Sequence, residues 1–161
     1  ALRYAPIVQV SVGLSNAQGI EHKAFGGLIP TCEQQQLLGI LFPSACFSQR
    51  CPAEGALFSF FLGGMKHGEM LGKTNEELRE LVTKALSKML GFPQDVEPDM
   101  VQIFRHEHAI PQYELSSGDR FAAVARIEQA HPGLVIGGNL RDGIGMADRI
   151  RQAVRMGTQD D

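Results

Sequence analysis

Between Tyr4 and Leu62 four short apolar-rich segments recur, joined by short links that are polar or proline-bearing and carry no helical pattern. Parallel strands need a crossover of a dozen residues or more, usually helical, so this spacing favours an antiparallel meander. From Val8 to Val12 apolar and polar residues alternate within Pro6 to Gly13, the mark of a strand buried on one face. Ser15-Asn16-Ala17-Gln18-Gly19 reads as a turn. Further strands are expected at about Ala24 to Ile29, Leu37 to Phe42 and Ala56 to Leu62, with a loop from Ser44 to Glu54.

A helix follows these strands. Thr74 and Glu77 make a capping box, and Leu78, Leu81, Val82, Ala85, Leu86 and Met89 form one apolar stripe that reads as core. Gly91 ends it and Pro93 prevents continuation. Met100 to Phe104 is expected as a strand with Val101 and Ile103 on one face. Ala109 to Tyr113 should be extended, because Pro111 restricts the residue before it. Asp119 to Ala130 predicts a helix with Phe121, Val124 and Ile127 inward, ended by His131-Pro132-Gly133. Met156 to Asp161 is expected to fray.

A chain of 161 residues can bury one real core. Its net charge of -3, with no basic patch interleaved with aromatics, argues against a nucleic-acid surface. The arginines from Arg120 to Arg155 face acids in the same span and read as a mixed, solvated surface. Cys32, Cys46 and Cys51 form no CxxC pair and no zinc spacing, and an odd count suits a reducing cytosol. No apolar run approaches membrane-spanning length and no signal-peptide pattern opens the chain. The sequence starts without methionine, directly in strand-like residues, so a piece of a longer protein is expected.

The chemistry-bearing stretch lies near the C-terminus. Leu134 to Ile136 reads as a short buried strand, broken by Gly137-Gly138-Asn139 and followed by Gly143-Ile144-Gly145. Ile144, Ala147, Ile150 and Val154 then recur at helical spacing. Strand, glycine turn and helix start together suit an anion, because glycines admit close approach and the helix start offers free N–H groups. The pattern equally suits a tightly packed βα turn, and spacing alone leaves both open.

Other near-motifs carry less. His67 to Thr74 misses the P-loop pattern by one residue, and Thr74 already caps a helix. His106-Glu107-His108 would put both imidazoles on one strand face, without an identifiable third metal ligand. No metal site and no catalytic side chain is expected in the chain, and no nucleophilic triad or activated thiol stands out.

The closing stretch, Gly-Gly-Asn-x-Arg-x-Gly-Ile-Gly followed by Ala-Asp-x-Ile, resembles the last flavin-contact motif of the FAD-dependent porphyrinogen oxidases, within the amine-oxidase-like flavoproteins. Three stretches in the family's order resemble it too. They are Phe25 to Pro30 with Glu33, Leu38 to Phe42 through Phe47, Arg50 and Pro52 to Phe61-Leu62-Gly63-Gly64, and Ala109 to Tyr113. The chain departs from the family at His106, usually tryptophan, and at Gly118-Asp119, often Gly-His.

The resemblance implies an α+β chain: a mainly antiparallel substrate sheet and helix in residues 1–116, then the closing strand and helix of a FAD-binding α/β domain in 117–161. It implies that Leu28, Leu41 and Phe61 line the substrate cavity, although strand-borne apolar residues ordinarily fill core. It implies that Gly138, Asn139, Gly143, Ile144, Gly145 and Met146 contact FAD or its phosphates. The expected activity of the whole protein is oxidation of protoporphyrinogen IX to protoporphyrin IX, with this segment inactive alone. No GxGxxG opens a βαβ unit here, so the main ADP-binding half of the site is expected elsewhere. The expected partners are the porphyrinogen and the remainder of the protein, in the cytoplasm, with room for peripheral membrane contact and a homodimer. Coproporphyrinogen III, a carotenoid or an amine are alternative substrates, and a flavin-free hydrophobic-ligand or interaction domain is the alternative of another class.

Overall fold

The computed structural model describes residues 2–158. Five strands form one sheet: β1 (Tyr4–Leu14), β2 (Gly26–Leu28), β3 (Leu37–Leu41), β4 (Ala56–Gly63) and β5 (Met100–Pro111), in the order β2-β3-β4-β1-β5. Four helices accompany them: α1 (Pro43–Cys46), α2 (Asn75–Leu90), α3 (Ser117–Ala130) and α4 (Met146–Gly157). This is the expected α+β chain with an antiparallel sheet. The meander holds for β2, β3 and β4, while β1 lies beside β4 with Val10 opposite Phe60. Asp99 accepts hydrogen bonds from the Ser15 N–H (2.6 Å) and hydroxyl (2.8 Å), which fastens the start of β5 to the end of β1.

The chain divides into two compact units, residues 5–109 and residues 110–161 with 1–4. In the larger unit the core lies on one face of the sheet. Alternation sends Val8, Val10 and Val12 of β1 and Phe58, Phe60 and Leu62 of β4 to that face, where α2 covers them with Leu78, Val82, Ala85, Leu86 and Leu90. The capping box forms in full: Glu77 N–H donates to Thr74 Oγ1 (3.2 Å) and Thr74 N–H to Glu77 Oε2 (2.8 Å). At the far end Gly91 takes φ +79°, and Phe92 N–H bonds the Leu86 carbonyl at 3.2 Å. His22 donates its Nε2–H to the Leu90 carbonyl (3.1 Å) and stacks on Phe92, sealing this end of the core.

Several sequence expectations give way. Met89 is exposed and Leu90 takes its place in the core, because the stripe drifts around the helix over four turns. The loop after β3 begins with the single turn α1, for which Pro43 is suited at the first helical position. In α3 only Val124 of the three apolar residues is buried. Leu134 to Ile136 forms no strand: a strand needs a neighbour to complete its hydrogen bonds, and no described strand runs beside this segment. Met156 and Gly157 remain helical, and residues 159–161 lie outside the described range.

Candidate functional site

Two features carry the candidate residues, one in each unit. The first is the sheet face turned away from α2. Register places Leu28 opposite Gly39, and Gly39 opposite Phe61, so one row runs across β2, β3 and β4. Gln9 of β1 stands opposite Phe61 and continues it. Leu41 is two residues from Gly39 and therefore shares the face, opposite Ser59. The three residues assigned to the substrate thus share one surface. Leu28 is 87% exposed, and Leu41 and Phe61 are half-buried. Gly39 keeps the row low: a Cβ there would stand 2.7 Å from the Gly27 carbonyl oxygen and 3.1 Å from Leu28 Cδ2. Such an apolar, shallow floor suits the broad face of a large ring.

Sequence reasoning missed the rest of this face. Met100 packs against Gly13, which puts the even-numbered residues of β5, Gln102 and Phe104 among them, on the same side. His106 belongs to this series too, and among the described residues no three His, Cys, Asp or Glu side chains gather to hold a metal.

The second feature is the glycine turn before α4, in the smaller unit. Tyr113 donates its hydroxyl to the Asn139 carbonyl (3.1 Å), and Arg120 Nε donates to the Leu140 carbonyl (2.9 Å). The Arg120 guanidinium also lies over the Tyr113 and Phe121 rings, 5.2 Å from each centroid. Arg141 donates two hydrogen bonds to Glu128 (2.7 and 2.8 Å), and Glu128 also accepts the Ile136 N–H (2.8 Å). These arginines are therefore the scaffold of the turn and not a solvated surface.

The helix face that meets the turn is polar. Gln152, only 5% exposed, accepts from Gly138 N–H (2.8 Å) and Arg149 (2.7 Å), and donates to Asp142 (2.8 Å). Arg149 also donates to the Gly138 carbonyl and, at 2.9 Å, to that of Arg141. Ile150 and Val154, the periodic apolar residues, are 59% and 60% exposed. Ile144 and Met146 are exposed as well.

The turn has spare donors. No side chain caps α4, whose first-turn N–H groups precede the first intrahelical bond, from Arg149 N–H to the Gly145 carbonyl (3.0 Å). Nothing lies within 4 Å of a Cβ built on Gly138, so a ligand can approach the backbone there. Arg141 Nε and Arg149 Nε are buried without a described acceptor. A flavin, rich in acceptors and with apolar edges to meet Ile144 and Met146, fits this donor set. A phosphate fits it less well, because the Asp148 carboxylate occupies the third helical position against Gly143.

The Arg141 guanidinium and then the Ile136 N–H hold the Glu128 carboxyl below its ordinary value. A depressed carboxylate contributes stability above its ordinary range and loses it as pH falls through the lowered value. Hydrogen-exchange protection at Ile136 N–H is therefore expected to stay constant from neutrality to about pH 5 and to fall below that. Glu128→Gln should abolish this pH dependence, and a sloping profile in that variant would assign the loss to other groups.

A model of the family described as flavin containing amine oxidoreductase matches residues 1–155. The chain belongs to that family. It is 33% identical over 131 residues to protoporphyrinogen oxidase 2, chloroplastic/mitochondrial, of Arabidopsis thaliana, covering 80% of this chain and 25% of the relative. It is 34% identical over 131 residues to the mitochondrial protoporphyrinogen oxidase of Nicotiana tabacum, covering 80% and 26%. This member of the flavin-containing amine oxidoreductases thus spans about a quarter of the length of the curated relatives it matches. A solved Exiguobacterium structure, described as a candidate protoporphyrinogen oxidase, superposes with TM-score 0.78 at 19% identity over 96% of this chain and 34% of that one. Reduced UDP-galactopyranose mutase shares the fold at TM-score 0.61 and 11% identity, over 80% and 27%. No helix of the described residues is long and apolar enough to cross a membrane.

Proposed function

We propose that the chain supplies the substrate floor and the closing cofactor contact of a FAD-dependent oxidase that converts protoporphyrinogen IX to protoporphyrin IX. The observation that carries this is the row Leu28–Gly39–Phe61 with Leu41 beside it, an apolar strip across three strands of a sheet whose other face is core. The names of the relatives and the family agree with it. Flavin, when bound, takes up the two electrons and hydrogen released in each oxidation step. The chain's own residues bind and orient. Phe61 would lie under the macrocycle, with Leu28 and Leu41 fixing its position. Gly138, Asn139, Gly143, Ile144, Gly145 and Met146 would hold the neutral part of FAD, by close approach at the open Gly138 backbone, by hydrogen bonds from the free N–H groups at the start of α4 and by apolar contact with Ile144 and Met146. No side chain on the floor is assigned a proton-transfer role, since the macrocycle needs positioning more than a base. The remaining segments of the flavoenzyme, peripheral membrane contact and self-association belong to the same proposal and rest on the resemblance, while a cytoplasmic setting rests on the cysteine usage.

Phe61→Ala in the whole flavin-loaded protein that contains this segment tests the reading. The porphyrinogen KM is expected to rise about tenfold or more, from the lost ring contact and area, with flavin content unchanged. An unchanged KM would remove Phe61 from the substrate site. Turnover of a primary amine in place of porphyrinogen would favour the amine-oxidase alternative.

A further inference from the structure

Two hydroxyls meet in the middle of the sheet face that carries Phe61. Ser11 of β1 and Ser59 of β4 are cross-strand partners, and Leu41 stands on the other side of Ser59. In the neighbouring row Gln9 stands beside Phe61. Ser59 is only 7% exposed, yet neither hydroxyl, nor the Gln9 amide, makes a hydrogen bond among the described residues. The Ser59 oxygen is not sealed in the core, and Ser11 and Gln9 are half-buried, so all three open on this face with no internal partner and are free to pair with a ligand. In an apolar binding site the few polar groups are those that fix orientation and choose the ligand.

We propose that Ser11 and Ser59, with Gln9 beside them, accept hydrogen bonds from the pyrrole N–H groups of a puckered, reduced tetrapyrrole and not from its flat, oxidised form. The inference rests on the porphyrinogen reading above. In a porphyrinogen the bridging carbons are tetrahedral, so each pyrrole can tilt and aim its N–H out of the mean plane toward a surface beneath. In the conjugated porphyrin the ring is flat and its remaining N–H groups lie in the plane, directed at the ring centre. Oxygens set in a floor under the macrocycle can meet the first arrangement and cannot meet the second. Discrimination is a difference of affinities, and these hydrogen bonds exist for only one of the two ligands. The floor thereby holds the substrate and weakens its grip on the product, while Phe61 and Leu41 contact both.

Equilibrium dialysis of the flavin-loaded protein separates the contributions. Protoporphyrinogen IX is dialysed against protein with its flavin held reduced in oxygen-free buffer, then oxidised and quantified by porphyrin fluorescence. Protoporphyrin IX is dialysed against the oxidised protein. Ser11→Ala with Ser59→Ala is expected to weaken protoporphyrinogen binding about tenfold, the loss of two ordinary hydrogen bonds, and to leave protoporphyrin binding within about twofold. Ser11→Thr with Ser59→Thr, which keeps both hydroxyls, should retain the preference for the reduced ligand. Equal changes for both ligands, or no change for either, overturn the hydroxyl assignment alone. A wild-type protein that binds neither ligand overturns the porphyrinogen reading, and this inference with it.

Discussion

Phe58→Ala is expected to lower stability by about 3–5 kcal/mol, the usual cost of truncating a fully buried aromatic. Phe58 is 1% exposed and packs edge-on against Phe42 (5.6 Å), His22 (5.4 Å) and Phe92 (5.8 Å). These rings come from β4, the residue between β3 and α1, the turn after β1 and the segment after α2, so the cavity would loosen four parts of the larger unit at once. Against a total stability of roughly 5–15 kcal/mol for an ordinary domain, the loss is a large fraction. It should appear as a fall of roughly 10–15 °C in Tm. Phe61, three residues along the same strand, supplies the contrast. Its side chain points to the opposite face and is half-buried, so Phe61→Ala should alter ligand binding with a much smaller change in Tm. Equal melting shifts for the two variants would contradict the assignment of one face to core and the other to ligand.

The second large effect is expected at the glycine turn. Gly143 has φ +92°, a conformation that costs a residue with a Cβ about 1–2 kcal/mol. A Cβ there would also press on the Asp148 carboxylate and stand 2.7 Å from its Cγ and 3.0 Å from its Cβ. The second contact matters because a Cβ cannot swing away without moving the first turn of α4. Gly143→Ala should therefore displace the N–H groups that the flavin contact needs, and flavin retention should fall at least tenfold, measured by absorbance after removal of free FAD. The core around Phe58 lies in the other unit, so its melting should change little. Gly143→Ala combined with Asp148→Gly removes the contact but leaves the backbone strain, and should restore part of the retention. Full retention in the single variant would place the flavin elsewhere.

Sequence reading worked best where structure is local. The Thr74–Glu77 box, the Gly91 stop and the α2 stripe are set by neighbours a few residues apart, and they form as expected save that Leu90 replaces Met89 in the core. Strand positions followed from alternation, because the period of two is a property of the chain itself. Leu134 to Ile136 looked like a strand because it is a short apolar run, yet its hydrogen bonds need a second strand and the described residues offer none. The bulge between Leu37 and Gly39 was equally invisible, since an extra residue in one strand is defined only against its partner.

Residue types and their spacing alone determined the antiparallel sheet, the capped helix and the glycine turn, whose resemblance to a known motif pointed to a flavin-containing family. Only the tertiary structure decided which residues share a surface. Cross-strand register gathered Leu28, Gly39 and Phe61 into one row and set Ser11 against Ser59, although these residues lie far apart in sequence. It also turned the polar side of α4, through Gln152 and Arg149, toward the glycine turn and left Ile150 and Val154 exposed. Periodicity reveals that a helix has two faces. Which face meets which neighbour depends on hydrogen bonds and packing between segments that local sequence does not encode.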